Sequence, residues 1–408
     1  MLPSRSLSSL LALPALAFLS LSASASPHPR TASSPATLKL AVRINSYGIK
    51  NIAAADRARI QARQAGDSSS ITVTSTGAIY TADIGVGNPA TYYTLSVDTG
   101  SSNTWIGANK AYEKTVTSQD TGNTFYVAYG DESGKKKYAS GEEYIDTVTL
   151  NSDLVIDNQS IGVASSTSIG DGVDGLLGVG PVGLTRGTVS NTDEVATVTQ
   201  NLYMQGTISS EVLGVFFAPA SSSDSSGELT FGGYDASKIT GDVSYVSITS
   251  TSPASTYWGI DQSISYGDTP ILDETAGIVD TGTTLILIAT DAFNKYQSAT
   301  GATFNEEVGL LQISSDQYDQ LSPLYFAIGG VTYELTPNAQ IWPRSLNTAV
   351  GGDANSIYLV IADNGSPSGS GLDFTNGYCF LQRFYSVYDT TNSRVGFATT
   401  QYTDATTN

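Results

Sequence analysis

From about residue 68 onward, apolar and polar residues alternate over short runs closed by glycine. Residues 80–87 mix this alternation with Gly85 and Gly87, and residues 92–97, 144–150, 245–248 and 385–387 continue it. A period of two over such lengths predicts strands with one buried face. Helical spacing is scarce. Val198 and Leu202 share a face before Gly206; Phe293 and Tyr296 follow Thr290, a candidate cap, and stop at Gly301; Ser315 opens a turn that ends before Pro323. The prediction is an all-β fold with a few short surface helices.

One stretch recurs. Leu95-Ser96-Val97-Asp98-Thr99-Gly100-Ser101-Ser102 returns 182 residues later as Gly277-Ile278-Val279-Asp280-Thr281-Gly282-Thr283-Thr284. That separation is one domain length, far longer than a solenoid period. It predicts two similar β-barrel-like lobes related by a pseudo-twofold axis, with the repeated loops meeting between them. The Ser/Gly-rich stretch 221–233, followed by 234–241, is the expected crossing. It divides an N-terminal lobe, 68–240, from a C-terminal lobe, 241–408.

The region before the lobes reads differently. Arg5, an apolar run over 10–21 and Ala23-Ser24-Ala25 make residues 1–25 a secretory signal, so a secreted, extracellular protein is expected. The run is too short for a membrane anchor, and the polar tail after Phe397 argues against a lipid-anchor signal. Residues 1–65 hold eight basic groups and one acid, Asp56, which leaves 11 basic and 37 acidic residues for the remainder. A basic segment, 26–67, joined to an acidic body reads as a propeptide docked by charge and loosened as carboxylates protonate in acid. The acidic body argues against nucleic acid as a partner, and a monomer is expected.

Scarce residues narrow the chemistry. The chain has one cysteine, Cys379, and one histidine, His28, which lies in the segment expected to be removed. A lone cysteine gives no internal disulfide, and beside Phe380 it reads as core filler rather than nucleophile. Without a histidine in the body, Ser-His-Asp and Cys-His catalysis and the common His-rich zinc sites are excluded. No metal and no cofactor is expected. Carboxylates remain, and the repeat supplies two. A single Asp-Thr-Gly is more simply an Asx turn, but two copies with matching apolar flanks make Asp98 and Asp280 the candidate catalytic pair. Gly100 and Gly282 would leave room for close approach. Ser101 and Thr283 would orient the outer carboxylate oxygens, and Thr99 and Thr281 offer hydroxyls for a link between the loops.

Taken together, these residues resemble the pepsin-like aspartic protease family. The likeness rests on Val97-Asp98-Thr99-Gly100-Ser101-Ser102-Asn103-Thr104-Trp105 and Val279-Asp280-Thr281-Gly282-Thr283. It extends to Asp174-Gly175-Leu176-Leu177-Gly178, similar to the segment that packs behind the family's first catalytic loop, and to residues 384–389 and 394–398, similar to its closing hairpin. It covers about residues 68–408 and implies a bilobal acid protease that cuts peptides bound in extended form. It also implies a hairpin flap over the cleft. Tyr129, Gly130 and Asp131 fit the flap, with Tyr129 hydrogen-bonded to Trp105 and with Leu176 and Tyr129 lining apolar pockets.

Two departures stand out. The flap tip is longer, with Lys135, Lys136 and Lys137, and Phe374-Thr375-Asn376-Gly377 stands where the family has an apolar-Leu-Gly segment behind the second Asp. A binding protein that has lost activity, or a two-carboxylate glycoside hydrolase, would also fit an acidic pair. Neither requires two intact Asp-Thr-Gly loops. Asn158-Gln159-Ser160 and Asn364-Gly365-Ser366 have the form of glycan acceptors. If the flap-tip lysines attract acidic substrate residues, replacing all three with Ala will lower cleavage of acidic peptides more than of neutral ones. Equal losses would leave the lysines as a solvated hairpin end.

Overall fold

The computed structural model describes residues 35–43, 51–64, 79–130, 136–169, 172–222 and 226–408. The signal segment 1–25, His28, Asp131, Lys135 and residues 65–78, where the expected propeptide ends, lie outside these residues.

The alternating runs form strands as predicted. A 13-stranded sheet runs from Ser244–Ser247 through Arg394–Thr399, Phe384–Asp389, Val212–Phe217, Ser226–Phe231, Ala36–Arg43, Ile79–Val86, Thr91–Asp98, Gly175–Gly178, Trp105–Ile106, Leu154–Thr167 and Lys136–Asn151 to Gln119–Gly130. Ile79–Val86 also pairs with Lys136–Asn151 at Gly85↔Thr149 and Val86↔Val148, which curls the N-terminal part toward a barrel. A seven-stranded sheet, from Val331–Leu335 to Ile361–Asp363, builds the C-terminal lobe around Thr269–Val279.

The repeat becomes a structural repeat. In each half the strand that leads into Asp-Thr-Gly pairs in parallel with a short distant strand. Thr91–Asp98 lies beside Gly175–Gly178, with Val97 opposite Leu177. Thr269–Val279 lies beside Phe374–Asn376, with Val279 opposite Asn376. Parallel pairing needs a long crossover, and here the crossover takes up about half a lobe. Leu95, Val97, Leu177, Ile278 and Val279 are all buried in the main core, so both loops leave from rigid, packed strand ends.

The helices match their signals, with two adjustments. Val198–Met204 and Thr290–Thr300 form, the latter closed by Gly301 in the left-handed region. Thr290 is the first helical residue rather than the cap, and its hydroxyl donates to Asp363 Oδ1 at 2.6 Å. The helix at Ser315–Tyr318 starts from Ser314, which makes a reciprocal capping box with Gln317.

Three sequence expectations change. The stretch 221–233 is not all connection, because Ser226–Phe231 is a largely buried strand in the large sheet. A boundary at 240 does not separate the sheets either: Phe384–Asp389 pairs with Val212–Phe217, so C-terminal strands complete a sheet begun by the N-terminal half. The basic segment does more than supply charge. Ala36–Arg43 is a strand inserted between Ser226–Phe231 and Ile79–Val86, with Leu38 and Leu40 buried and Lys39 paired to the buried Glu228. Residues Ile52–Gln64 form a helix. The alanines at 53, 54, 55, 58 and 62 favour helix there, although Asp56, Arg59 and Arg63 interrupt any apolar face.

Candidate active site

Asp98 ends one strand and Asp280 follows the other, and the two loops grip each other. Thr99 N–H donates to Thr281 Oγ1 at 2.9 Å and Thr281 N–H donates to Thr99 Oγ1 at 3.0 Å. Each hydroxyl in turn reaches the main chain under the opposite loop: Thr281 Oγ1 donates to the Val97 carbonyl and Thr99 Oγ1 to that of Val279. This cross-link sets the approach of the two carboxylates.

Within each loop the carboxylate is oriented alike. Gly100 N–H donates to Asp98 Oδ1 at 2.7 Å and Ser101 Oγ to Asp98 Oδ2 at 3.1 Å. Gly282 N–H donates to Asp280 Oδ1 at 3.0 Å and Thr283 Oγ1 to Asp280 Oδ2 at 2.5 Å. The glycines are required by space. A Cβ on Gly100 would lie 2.6 Å from Asp280 Oδ1, and one on Gly282 would lie 2.6 Å from Asp98 Oδ1. The roles expected of Thr99, Gly100, Ser101, Thr281, Gly282 and Thr283 correspond to contacts in the structure.

Both carboxylates are fully buried, and the helix Ile52–Gln64 supplies their counter-charge. One Arg59 nitrogen, Nη2, lies 3.3 Å from Asp98 Oδ1 and 3.0 Å from Asp280 Oδ2. Arg63 Nη1 lies 3.1 Å from the same Asp280 oxygen, and its guanidinium sits 5.1 Å over the Tyr257 ring. Asp56, one turn earlier, is also fully buried and accepts from Leu285 N–H at 2.8 Å and Thr284 N–H at 3.1 Å. The spacing 56, 59, 63 puts all three on one helical face.

The electrostatics are unequal. Burial raises Asp280, but Arg59 and Arg63, with Thr283 and Gly282, hold it below its ordinary value. Burial pushes Asp98 up, and Asp280 pushes the same way against Arg59. Burial raises Asp56 from 3.8 to about 7 despite its two backbone hydrogen bonds and Arg59. Arg59 is raised: burial opposes its charge, but Asp280, Asp98 and Asp56 outweigh it.

The hairpin expected to form the flap pairs Gln119–Gly130 with Lys136–Asn151, the backbone of Tyr129 lying opposite Lys137 and that of Gly130 opposite Lys136; the Tyr129 side chain and its expected bond to Trp105 lie outside the described residues. Trp105 is buried opposite Leu176, and both cluster with Phe125, Val127 and Ala139 on the hairpin's outer half, below its tip. Cys379 is buried and burial pushes its thiol up, which suits core filler. Asn158 is exposed. Asn364 is not available to a glycan in the folded chain: it is fully buried, and its Nδ2 faces the Leu372 and Asp373 carbonyls at 3.3 Å.

Behind Asp280 the unusual Thr375-Asn376 occupies the expected place. The Asn376 carbonyl accepts from Asp280 N–H at 3.1 Å. Its side chain exchanges hydrogen bonds with the buried Gln262, with Asn376 Nδ2 donating to Gln262 Oε1 at 2.8 Å and Gln262 Nε2 donating to Asn376 Oδ1 at 3.3 Å. A polar pair has replaced the apolar contact, each amide satisfying the other.

Two matched loops at the facing strand ends of two β lobes, each presenting an aspartate, define a pepsin-like aspartic protease fold. The chain belongs to the eukaryotic aspartyl protease family, whose model matches residues 79–400, and it is an aspartic-type endopeptidase. It is 60% identical over 333 residues to polyporopepsin of Irpex lacteus, covering 81% of this chain and 96% of that protein. Gastricsin of Cavia porcellus is 32% identical over 338 residues, covering 79% of this chain and 80% of its own. Rhizopuspepsin-1 of Rhizopus niveus is 31% identical over 374 residues, covering 85% and 90%. The crystal structure of the aspartic proteinase from Irpex lacteus superposes with a TM-score of 0.77, again covering 81% of this chain and 96% of the other.

The amide pair makes a stability prediction. Asn376→Leu alone strands the buried Gln262 amide and should cost about 1–3 kcal/mol. Adding Gln262→Leu should recover most of that loss. Denaturant unfolding of the two variants reads the difference, and a double variant no more stable than the single would refute the pairing.

Proposed function

We propose that this chain is the precursor of a secreted endopeptidase that works in acid, with Asp98 and Asp280 as its catalytic pair. Two carboxylates held this close cannot both stay ionised without counter-charge, so in the open enzyme they share one proton. The ionised member takes a proton from a bound water, and the protonated member donates to the scissile carbonyl oxygen. The water attacks with no covalent intermediate. The singly protonated pair exists mainly in acid, which sets the working pH. The substrates are peptides and proteins held in extended form. The signal 1–25 directs secretion, no membrane anchor is retained, and the mature enzyme is a monomer. Among the described residues, no helix is long and apolar enough to cross a membrane.

The observation that carries this reading is Arg59 Nη2 in contact with both carboxylates at once. A cation on that spot occupies the place a water and a peptide carbonyl need, so residues 26–67 act as an inhibitory leader. Asp98→Asn and Asp280→Asn should each reduce kcat by about 10²–10⁴ while the unfolding midpoint stays near that of the parent. Near-normal turnover of either variant on a denatured protein substrate would sink the two-carboxylate mechanism.

Docking of the leader has a worked sign in pH. Asp56 is raised to about 7 when docked and returns to an ordinary value near 3.8 when free. It therefore weakens docking as pH rises from about 4 through 7. Asp280 is held low, so its contribution is present above the ordinary carboxylate value and is lost as acid protonates it. Docking should peak between these limits. Hydrogen exchange of residues 52–64 in the Asp98→Asn precursor, which cannot process itself, should show greatest protection near pH 4, declining as pH rises toward about 7 and again in stronger acid. Adding Asp56→Asn should flatten the fall on the alkaline side. Removing either arginine leaves a buried carboxylate short of its partner, at about 3–5 kcal/mol, so Arg59→Ala and Arg63→Ala precursors should lose protection at every pH and process faster in acid.

A further inference from the structure

The leader's grip on the cleft wall is available to whatever replaces it. At the end of Ile361–Asp363, beside the strand Ile286–Ile288 that follows the second catalytic loop, Asp363 holds the side chain of Arg57. Arg57 Nε donates to the Asp363 carbonyl at 3.0 Å, and Nη2 lies 3.6 Å from Asp363 Oδ2. The carboxylate does not depend on Arg57 for its position. Its other oxygen, Oδ1, accepts from Thr290 Oγ1 at 2.6 Å and from Gly365 N–H at 2.8 Å. Thus one carboxylate oxygen is tied into the fold while the other, with the main-chain carbonyl, faces the guanidinium as a two-point acceptor.

Gly365 completes the arrangement. Its φ of +84° lies in the left-handed region, and a Cβ there would fall 2.7 Å from Arg57 Cδ. The glycine therefore serves the turn and also gives the aliphatic stem of a long basic side chain a surface to lie on. Asp363 is about one-sixth exposed even with Arg57 in place, so the site is open to solvent beside the helix Ile52–Gln64 rather than sealed in the core. Its carboxylate is held by Thr290 and Gly365 independently of the guanidinium and fits a planar fork better than a neutral side chain.

We infer that Asp363, with its own carbonyl and the Gly365 floor, is a subsite for a basic side chain, arginine above all, of a substrate peptide. This rests on the proposed reading that the leader vacates the cleft in the working enzyme. The subsite adds charge selectivity to pockets that otherwise favour apolar residues. It also explains why the leader carries an arginine at 57 that touches neither catalytic aspartate.

The test uses the mature enzyme and a set of peptides with one fixed apolar cleavage site. Each position flanking the cut carries Arg, Gln or Glu in turn. At one position, Arg should exceed Glu in kcat/KM by about tenfold, the size expected for a partly exposed ion pair set against the matching repulsion. Asp363→Asn keeps an acceptor for Thr290 and Gly365 and should bring that ratio to within about twofold. Asp363→Lys should invert it. A ratio unchanged in Asp363→Asn, or no position that favours Arg, overturns the subsite while leaving the protease intact. Failure of the wild-type enzyme to cut the Gln peptides would instead overturn the protease reading, and this subsite with it.

Discussion

Two carboxylates buried within reach of one nitrogen are the constraint to which the rest of the molecule answers. Burial raises the cost of each charge, and proximity raises it again. The fold meets the cost in three ways: backbone N–H and hydroxyl donors on each carboxylate, a threonine cross-link that fixes their spacing, and two guanidiniums from the helix Ile52–Gln64. The strand ends that present the loops are packed on both sides because loops that drifted would lose the shared cation as well as each other.

The pseudo-symmetry of the loops is not carried into what lies behind them. Behind Asp98 the facing residue is Leu177, buried among other apolar side chains. Behind Asp280 it is Asn376, locked to Gln262. Both solutions hold the same main-chain geometry. The second can do so only while both amides are present, since a single buried amide without its mate is costly. The two aspartates therefore rest on unlike supports, although their immediate contacts are nearly the same.

Much of this was legible in the sequence because it repeats. Asp-Thr-Gly occurs twice with matched flanks, and that alone locates Asp98, Asp280 and the residues that orient them. Strands were legible from alternation, and Val198–Met204 from its spacing. The helix Ile52–Gln64 was not, because its buried face sets Asp56, Arg59 and Arg63 among alanines, with only Ile52 and Ile60 as large apolar residues. A hydrophobic-periodicity reading takes such a face for solvent; it is interior only because the opposing wall is acidic. Asn364 failed for the converse reason. An Asn-Gly-Ser triplet looks like a surface turn, yet here the asparagine points inward to tie residues 372 and 373. The sharing of the large sheet between the two halves was not legible either, because sheet membership is decided by pairing across 150 residues or more, as between Val212–Phe217 and Phe384–Asp389, and no local composition records that.

The placement of Ala36–Arg43 has one more consequence. This strand is stitched on both sides, through six register pairs to Ser226–Phe231 and three to Ile79–Val86, so a scission beyond Gln64 does not by itself set it free. On the proposed maturation, severing and shedding are separate events. A nicked species persists as two chains sharing one sheet until the seam unzips. Its departure exposes two unpaired edges, which invite another strand, and strips the buried Glu228 of its ammonium partner. The lifetime of the latent form is thus set partly by how fast a sheet can come apart at its middle, a quantity that no property of the catalytic pair controls.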